Sequence, residues 1–367
     1  MADPVPLAIV SAGVVCSVGL SAASACAAIR ASLDNFKETH FVDEIGEPLI
    51  GAAVPPMLLG SPEEADGSLL GGEQKLARMF VKAAVECARA AGGIDPRHTA
   101  LLVLGPETTR PGFSEDKLHR CFTACEDALG RHFHPSSCIT QIGSPGLAVA
   151  LEYAREQIGS GAVRAALIAG IDSFLNTDDI NDALASERLL SSENSDGFIP
   201  GEAAACVLVT RADAVEPMTA PAADGTRAPR PPLLMVAGIG RAHETQTLQS
   251  NQASRGMGLS NAMRQALNEA NIPAHAIHTR YADISAESYF FEEAAYAWTR
   301  ILRAPSPDGY EFFTPMTRVG YVGAAMGPLM LALALDAARK GWAAGPNALI
   351  HLSTSHAHRA AVVTIAS

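Results

Sequence analysis

Strand-then-helix alternation runs through this chain once and then restarts, and that constrains its fold more than any other feature. Residues 6–15 form a continuous apolar run into a glycine turn, and Ser21 stands where it can cap a helix reaching about residue 32. Leu76, Phe80, Ala83, Cys87 and Ala91 repeat at helical spacing, and residues 101–104 supply a short strand. The pattern then predicts a strand over 137–142, a helix over 147–158 closed by Gly159, and a buried strand over 165–171. Residues 213–232 are rich in Pro, Ala and Asp and lack periodicity. Beyond them come a strand (233–239), a helix (259–270), a strand (280–284), a helix (290–301), a long helix (323–339) and two strands (348–352 and 360–365). Such alternation predicts α/β layers, and its restart predicts two similar halves, 1–212 and 233–367, separated by a linker or surface excursion.

The chain has 367 residues, 48% of them hydrophobic, enough for a large core. A formal net charge of −12, spread along the chain, argues against nucleic acid and anionic membrane surfaces as partners. No apolar run reaches the ~20 residues that span a bilayer, and the start Met1-Ala-Asp-Pro lacks the basic residues of a signal peptide, so a cytoplasmic protein is expected. Seven irregularly spaced cysteines suit reduced thiols. Cys121, Cys125, His132 and His134 sketch a zinc site, but Leu118, Phe122, Cys125 and Leu129 make one apolar helical stripe, which reads as core. No metal and no cofactor are expected.

Two segments carry a family resemblance. Val10-Ser-Ala-Gly-Val-Val-Cys-Ser-Val-Gly19 resembles the first strand and turn of β-ketoacyl synthases, and Asp196-Gly-Phe-Ile-Pro-Gly-Glu-Ala-Ala-Ala205 resembles their Asp-Gly-Phe-x-x-Gly-Glu-Gly-Ala segment. Between them, Ala169-Gly-Ile-Asp172 is similar to the family's Gly-Gly-x-Asp. The resemblance implies a thiolase fold, with duplicated α/β halves in five layers (αβαβα), and a homodimer joined through an edge strand, here Cys138-Ile-Thr-Gln-Ile142.

The same resemblance places the family's reactive residues and finds each one changed. Condensing enzymes need a cysteine at a strand-to-helix elbow, where the helix N-terminus stabilises the thiolate. Ser144, in Gln141-Ile-Gly-Ser-Pro-Gly146, takes that place. Two histidines assist decarboxylation and carbanion attack in the family. Asp283, in Tyr281-Ala-Asp-Ile-Ser-Ala-Glu287, stands for the first, and Tyr321, in Arg318-Val-Gly-Tyr-Val-Gly323, for the second. A carboxylate would repel a malonyl group, and a phenol cannot act as an imidazole. The family's glycine-rich loop near the C-terminus is replaced by His351-Leu-Ser-Thr-Ser-His-Ala-His358.

Two readings of Ser144 follow. In one it is a helix N-cap before a proline at the first helical position. In the other it is the nucleophile of an acyltransferase or hydrolase, with His356 or His358 as base and Asp283 orienting it. The resemblance thus implies a catalytically degenerate ketosynthase-like protein. Its role would be that of a homodimeric or heterodimeric subunit beside a ketosynthase, in the manner of a chain-length factor, or of an accessory to a bacterial secretion effector. Asn35-Phe-Lys-Glu-Thr-His-Phe41 resembles the latter group. An acyl carrier protein is the other partner the family implies.

Overall fold

The computed structural model describes residues 5–60, 72–214, 233–250, 252–304 and 309–366. The first half opens with strand β1 (Leu7–Cys16) and helix α1 (Ala22–Arg30). Ser21 caps α1 as expected: its hydroxyl accepts from the Ser24 amide while Ser24 returns the bond. A hairpin of β2 (Lys37–Val42) and β3 (Pro48–Gly51) follows, then α2 (Gly72–Ala90), β4 (Thr99–Gly105), α3 (Glu115–Leu129) and β5 (Cys138–Gln141). Helix α4 (Gly146–Gly159), β6 (Ala165–Ser173), α5 (Thr177–Ala185) and β7 (Glu202–Arg211) complete it. The second half comprises β8 (Leu234–His243), α6 (Met257–Ala270), β9 (Thr279–Ala282), α7 (Ser288–Ile301), β10 (Glu311–Phe313), the single turn α8 (Met316–Val319), α9 (Met326–Lys340), β11 (Asn347–Ser353) and β12 (His358–Ala366).

Ten strands form one mixed sheet. Outward from its centre the order is β1-β7-β6-β4-β5 on one side and β8-β12-β11-β9-β10 on the other, the same permutation of five strands twice. Strands β5, β4 and β6 are parallel neighbours, as are β10, β9 and β11, and the remaining pairings are antiparallel. The two arrays meet only where Leu7, Ala8 and Ile9 pair with Val236, Met235 and Leu234.

Helices α4 and α9 each touch strands of both arrays and so form a central layer. Helices α2 and α3 cover the outer face of the first array, and α6 and α7 that of the second. The result is the five-layer αβαβα thiolase arrangement. Central placement explains the composition of α9, in which Met326 through Leu335 are all buried; a helix apolar on every side must be covered on every side. Strand β9 ends at Ala282, short of the expected residue 284, and the Asp283 amide still donates to His351 O of β11 at 3.0 Å, which fixes its backbone at the sheet's end. Parallel strands of both arrays run their C-terminal ends toward one region, where open α/β sheets place their sites.

Cys121 and Cys125 lie in the core under α3, whereas His132 is exposed and bonded to Glu126, and His134 accepts from the Ser136 amide. The four do not converge on a common point that a metal would need. Of the expected linker at 213–232, Asp213 and Ala214 sit in a short 3₁₀ turn and the remainder lies outside the described residues.

Candidate functional site

The elbow between β5 and α4 is built on Gly143, whose φ of +68° is a left-handed conformation that favours glycine. A Cβ there would also lie 2.7 Å from Glu107 Oε1, so the Glu107 carboxylate rests directly over the turn. Ser144 follows and is 1% exposed. The capping role expected of it is corrected by the structure. Pro145 already has helical φ and ψ, no side chain caps α4, and Ser144 gives the first turn its carbonyl, which accepts from the Leu147 amide at 3.2 Å. Its hydroxyl instead donates to Asp283 Oδ2. The reason is energetic: leaving a buried carboxylate without a donor costs more than leaving a helix N–H to other partners.

Asp283 sits just past β9, is 2% exposed, and its Oδ1 accepts no bond from any described residue. Burial pushes its carboxyl up to about 7; the Ser144 hydrogen bond pulls back, while the charge of Glu107 pushes further the same way. The structure therefore joins two of the residues singled out in the sequence in a closed Ser144–Asp283 pair.

Tyr321 lies at the other side of Glu107. The Asp196–Ala205 segment frames it: the Tyr321 amide donates to Ile199 O at 2.8 Å and Tyr321 O accepts from Gly201 at 3.1 Å. Its ring packs against Phe174 and Phe198 with centroids 4.6 and 4.9 Å away. Burial holds the phenol well above its usual pKa, and Glu107 adds to that, so it stays a neutral hydroxyl.

The histidines go elsewhere. His356 Nε2 lies 3.2 Å from Thr109 Oγ1 and 3.3 Å from Gln249 Nε2, and His358 stacks edge-on with His243 at 5.0 Å. Burial and His243 lower the pKa of His358. Neither histidine is brought to Ser144, because β11 runs to Ser353 and the following turn carries both rings away from the elbow. Ser353 O, at 3.4 Å, is the atom of that segment facing the Ser144 hydroxyl.

Sequence reasoning missed the ionic frame around the site. Arg110 bonds Asp172 at 2.8 Å, Asp179 at 2.7 Å and Ser173 O at 2.9 Å, with its guanidinium 3.6 Å above the Phe174 ring. Burial opposes its charge, but Asp172 and Asp179 hold it more firmly protonated than usual. Burial in turn pushes Asp172 up to about 6 despite Arg110. Asp172 Oδ2 also accepts from the Ala324 amide at 2.9 Å, tying β6 to the turn before α9. Arg188 grips Glu287 with two bonds of 2.8 and 3.0 Å, and buried Arg359 holds Glu293 at 2.7 Å. The one available signal was position: Glu107 and Arg110 follow directly on a buried parallel strand, where α/β proteins place functional loops.

No protein-family model matches the chain, and no curated protein matches it by sequence. Solved structures do. The chain superimposes with a TM-score of 0.77 and 15% identity on a chain of the AntDE:AntF complex, a type II polyketide-synthase acyl carrier protein with its ketosynthase, covering 99% of this chain and 100% of that one. The ishigamide ketosynthase/chain length factor matches with a TM-score of 0.77, 14% identity and the same coverage. A β-ketoacyl synthase from Burkholderia phymatum matches at 0.71 and 14%, again over 99% and 100% of the two chains. The fold is that of the thiolase-like ketosynthases. Among the described residues no helix is long and apolar enough to cross a membrane.

Proposed function

We propose that this chain is a catalytically degenerate ketosynthase-like protein that works by binding, as an accessory subunit. Its partner is either an active ketosynthase, in the manner of a chain-length factor, an acyl-carrying protein, or a secretion effector. The observation that carries this reading is the Ser144–Asp283 pair: the residue at the nucleophile position is buried and its hydroxyl is spent on a buried acid. Tyr321, at the second histidine position, is a neutral phenol in an aromatic cluster. Solved neighbours that include a ketosynthase/chain length factor and a carrier-protein complex support the choice of partner class. The test is a condensation assay with acyl and malonyl carrier-protein thioesters, run beside Ser144→Ala. Equal background from both is expected, and product from the wild type clearly above the variant refutes the reading. Co-expression with a ketosynthase subunit should yield a heterodimer on size exclusion.

One observation favours a second reading. An acid with a pKa of about 7 that accepts the Ser144 proton is placed as a general base, which makes Ser144 an acyl-accepting nucleophile without any histidine. Stoichiometric labelling of Ser144 by a phosphonate probe would establish that reading over the first.

A further inference from the structure

A cavity of about 150 Å³ opens beside Tyr321, with Glu107, Phe174, Arg188, Phe198 and His356 among its lining residues, and neither Ser144 nor Asp283 borders it. An interior space of this size holds a molecule about as large as benzene. Both of its cations are already neutralised. Arg110 is held by Asp172 and Asp179, and Arg188 by both oxygens of Glu287, so neither has charge to offer an anion. Glu107 differs, because its carboxylate receives no hydrogen bond from any described residue. Tyr321 supplies an independent sign of a ligand. It is only 7% exposed and lines the cavity, and its hydroxyl likewise bonds none of the described residues. The ring is buried while the hydroxyl oxygen opens into the cavity, so a ligand there is the partner available to it.

We propose that this cavity binds a small organic ammonium ion, held by the Glu107 carboxylate and the oxygen of the Tyr321 hydroxyl, with its short hydrocarbon tail against Phe174 and Phe198. An anion of equal size would face the Glu107 carboxylate across a cavity whose arginines are already bonded to acids, and a neutral alcohol would forgo the charge-assisted bond. His356, bridging Thr109 and Gln249, marks the rim over which the ligand enters. The proposal names a ligand for a cavity beside the elbow, and it rests on the accessory reading, which leaves Tyr321 free of condensing chemistry.

The experiment is isothermal titration calorimetry of the full chain with n-butylammonium chloride, 1-butanol and sodium butyrate at matched ionic strength. Butylammonium should bind at least about tenfold more tightly than either isostere, equivalent to about 1.4 kcal/mol. Glu107→Gln should weaken it about tenfold, and Tyr321→Phe about threefold, because the first removes an ion pair and the second only the bond from the ammonium to an uncharged oxygen. A parallel titration with Nα-acetyl-lysine methylamide separates two sources of the ammonium group: tighter binding than butylammonium assigns it to a partner's lysine, weaker binding to a free amine. Butyrate or butanol binding as well as the ammonium ion, no ammonium binding at all, or an unchanged affinity in Glu107→Gln would overturn the proposal. The three-ligand comparison needs only the wild type, so it decides even if a variant fails to fold. Absence of ammonium binding with subunit pairing intact sinks this proposal alone, whereas condensation activity sinks the accessory reading.

Discussion

Asp283→Asn tests the electrostatics of the elbow. Asparagine keeps the shape and the oxygen that accepts from Ser144, but it cannot ionise. In the wild type, burial raises the Asp283 carboxyl from about 3.8 in the unfolded chain to about 7 in the fold. The folded state therefore holds a proton that the unfolded state has released, and stability falls as pH rises between those two values. At 1.36 kcal/mol per pH unit the whole loss is about 4 kcal/mol, of which about 3 kcal/mol falls between pH 5 and pH 8. The variant escapes that loss. Its new amide N–H₂, buried where Oδ1 has no partner, adds a cost of about 1–3 kcal/mol that does not change with pH. Urea unfolding of both proteins at pH 5, 6, 7 and 8 should show Asp283→Asn gaining on the wild type by about 3 kcal/mol across the range, levelling above pH about 7. Asp172, pushed up to about 6, titrates in both proteins and cancels in the difference. A difference that stays flat from pH 5 to 8, or that runs the other way, would show that Asp283 is not a buried acid.

Ser144→Ala removes the donor to Asp283 and should cost about 1–3 kcal/mol, read by chemical denaturation at pH 8, with much less loss at pH 5 where the acid is protonated. Arg110→Met leaves Asp172 and Asp179 buried without their cation and should destabilise the fold by about 3–5 kcal/mol, while Arg110→Lys should recover part of that; a loss below 1 kcal/mol in the methionine variant would mean the network is not structural. Strand β5 ends the sheet with an unpaired edge, and sedimentation should find a dimer built on it, whereas monomer alone at micromolar concentration would rule that interface out.

Local chemistry made much of the architecture legible. The apolar period of α2, the Ser21 cap, the buried strand runs and the apolar run that opens α9 all announce themselves, because each depends on neighbours a few residues away in the chain. Ser144, Asp283 and Tyr321 drew attention for the same reason: each stands beside a short local motif. Their relations were not. Ser144 and a serine cap look alike in sequence, and only the tertiary fold brings Asp283, 139 residues away, onto its hydroxyl. His356 and His358 alternate along the chain as two partners for Ser144 might, yet the turn after β11 sends one toward Thr109 and the other toward His243. Glu107, Arg110 and Arg188 carry no motif at all; they become a site because the parallel strands of two arrays end together, and burial there decides which charges must pair and which, like Glu107, are left facing a cavity. Sequence alone determined which elements form and in what order, since hydrophobic period and capping are local. The pairing of charges and the shape of the cavity depend on distances between residues far apart in the chain, and only the packed structure decides those.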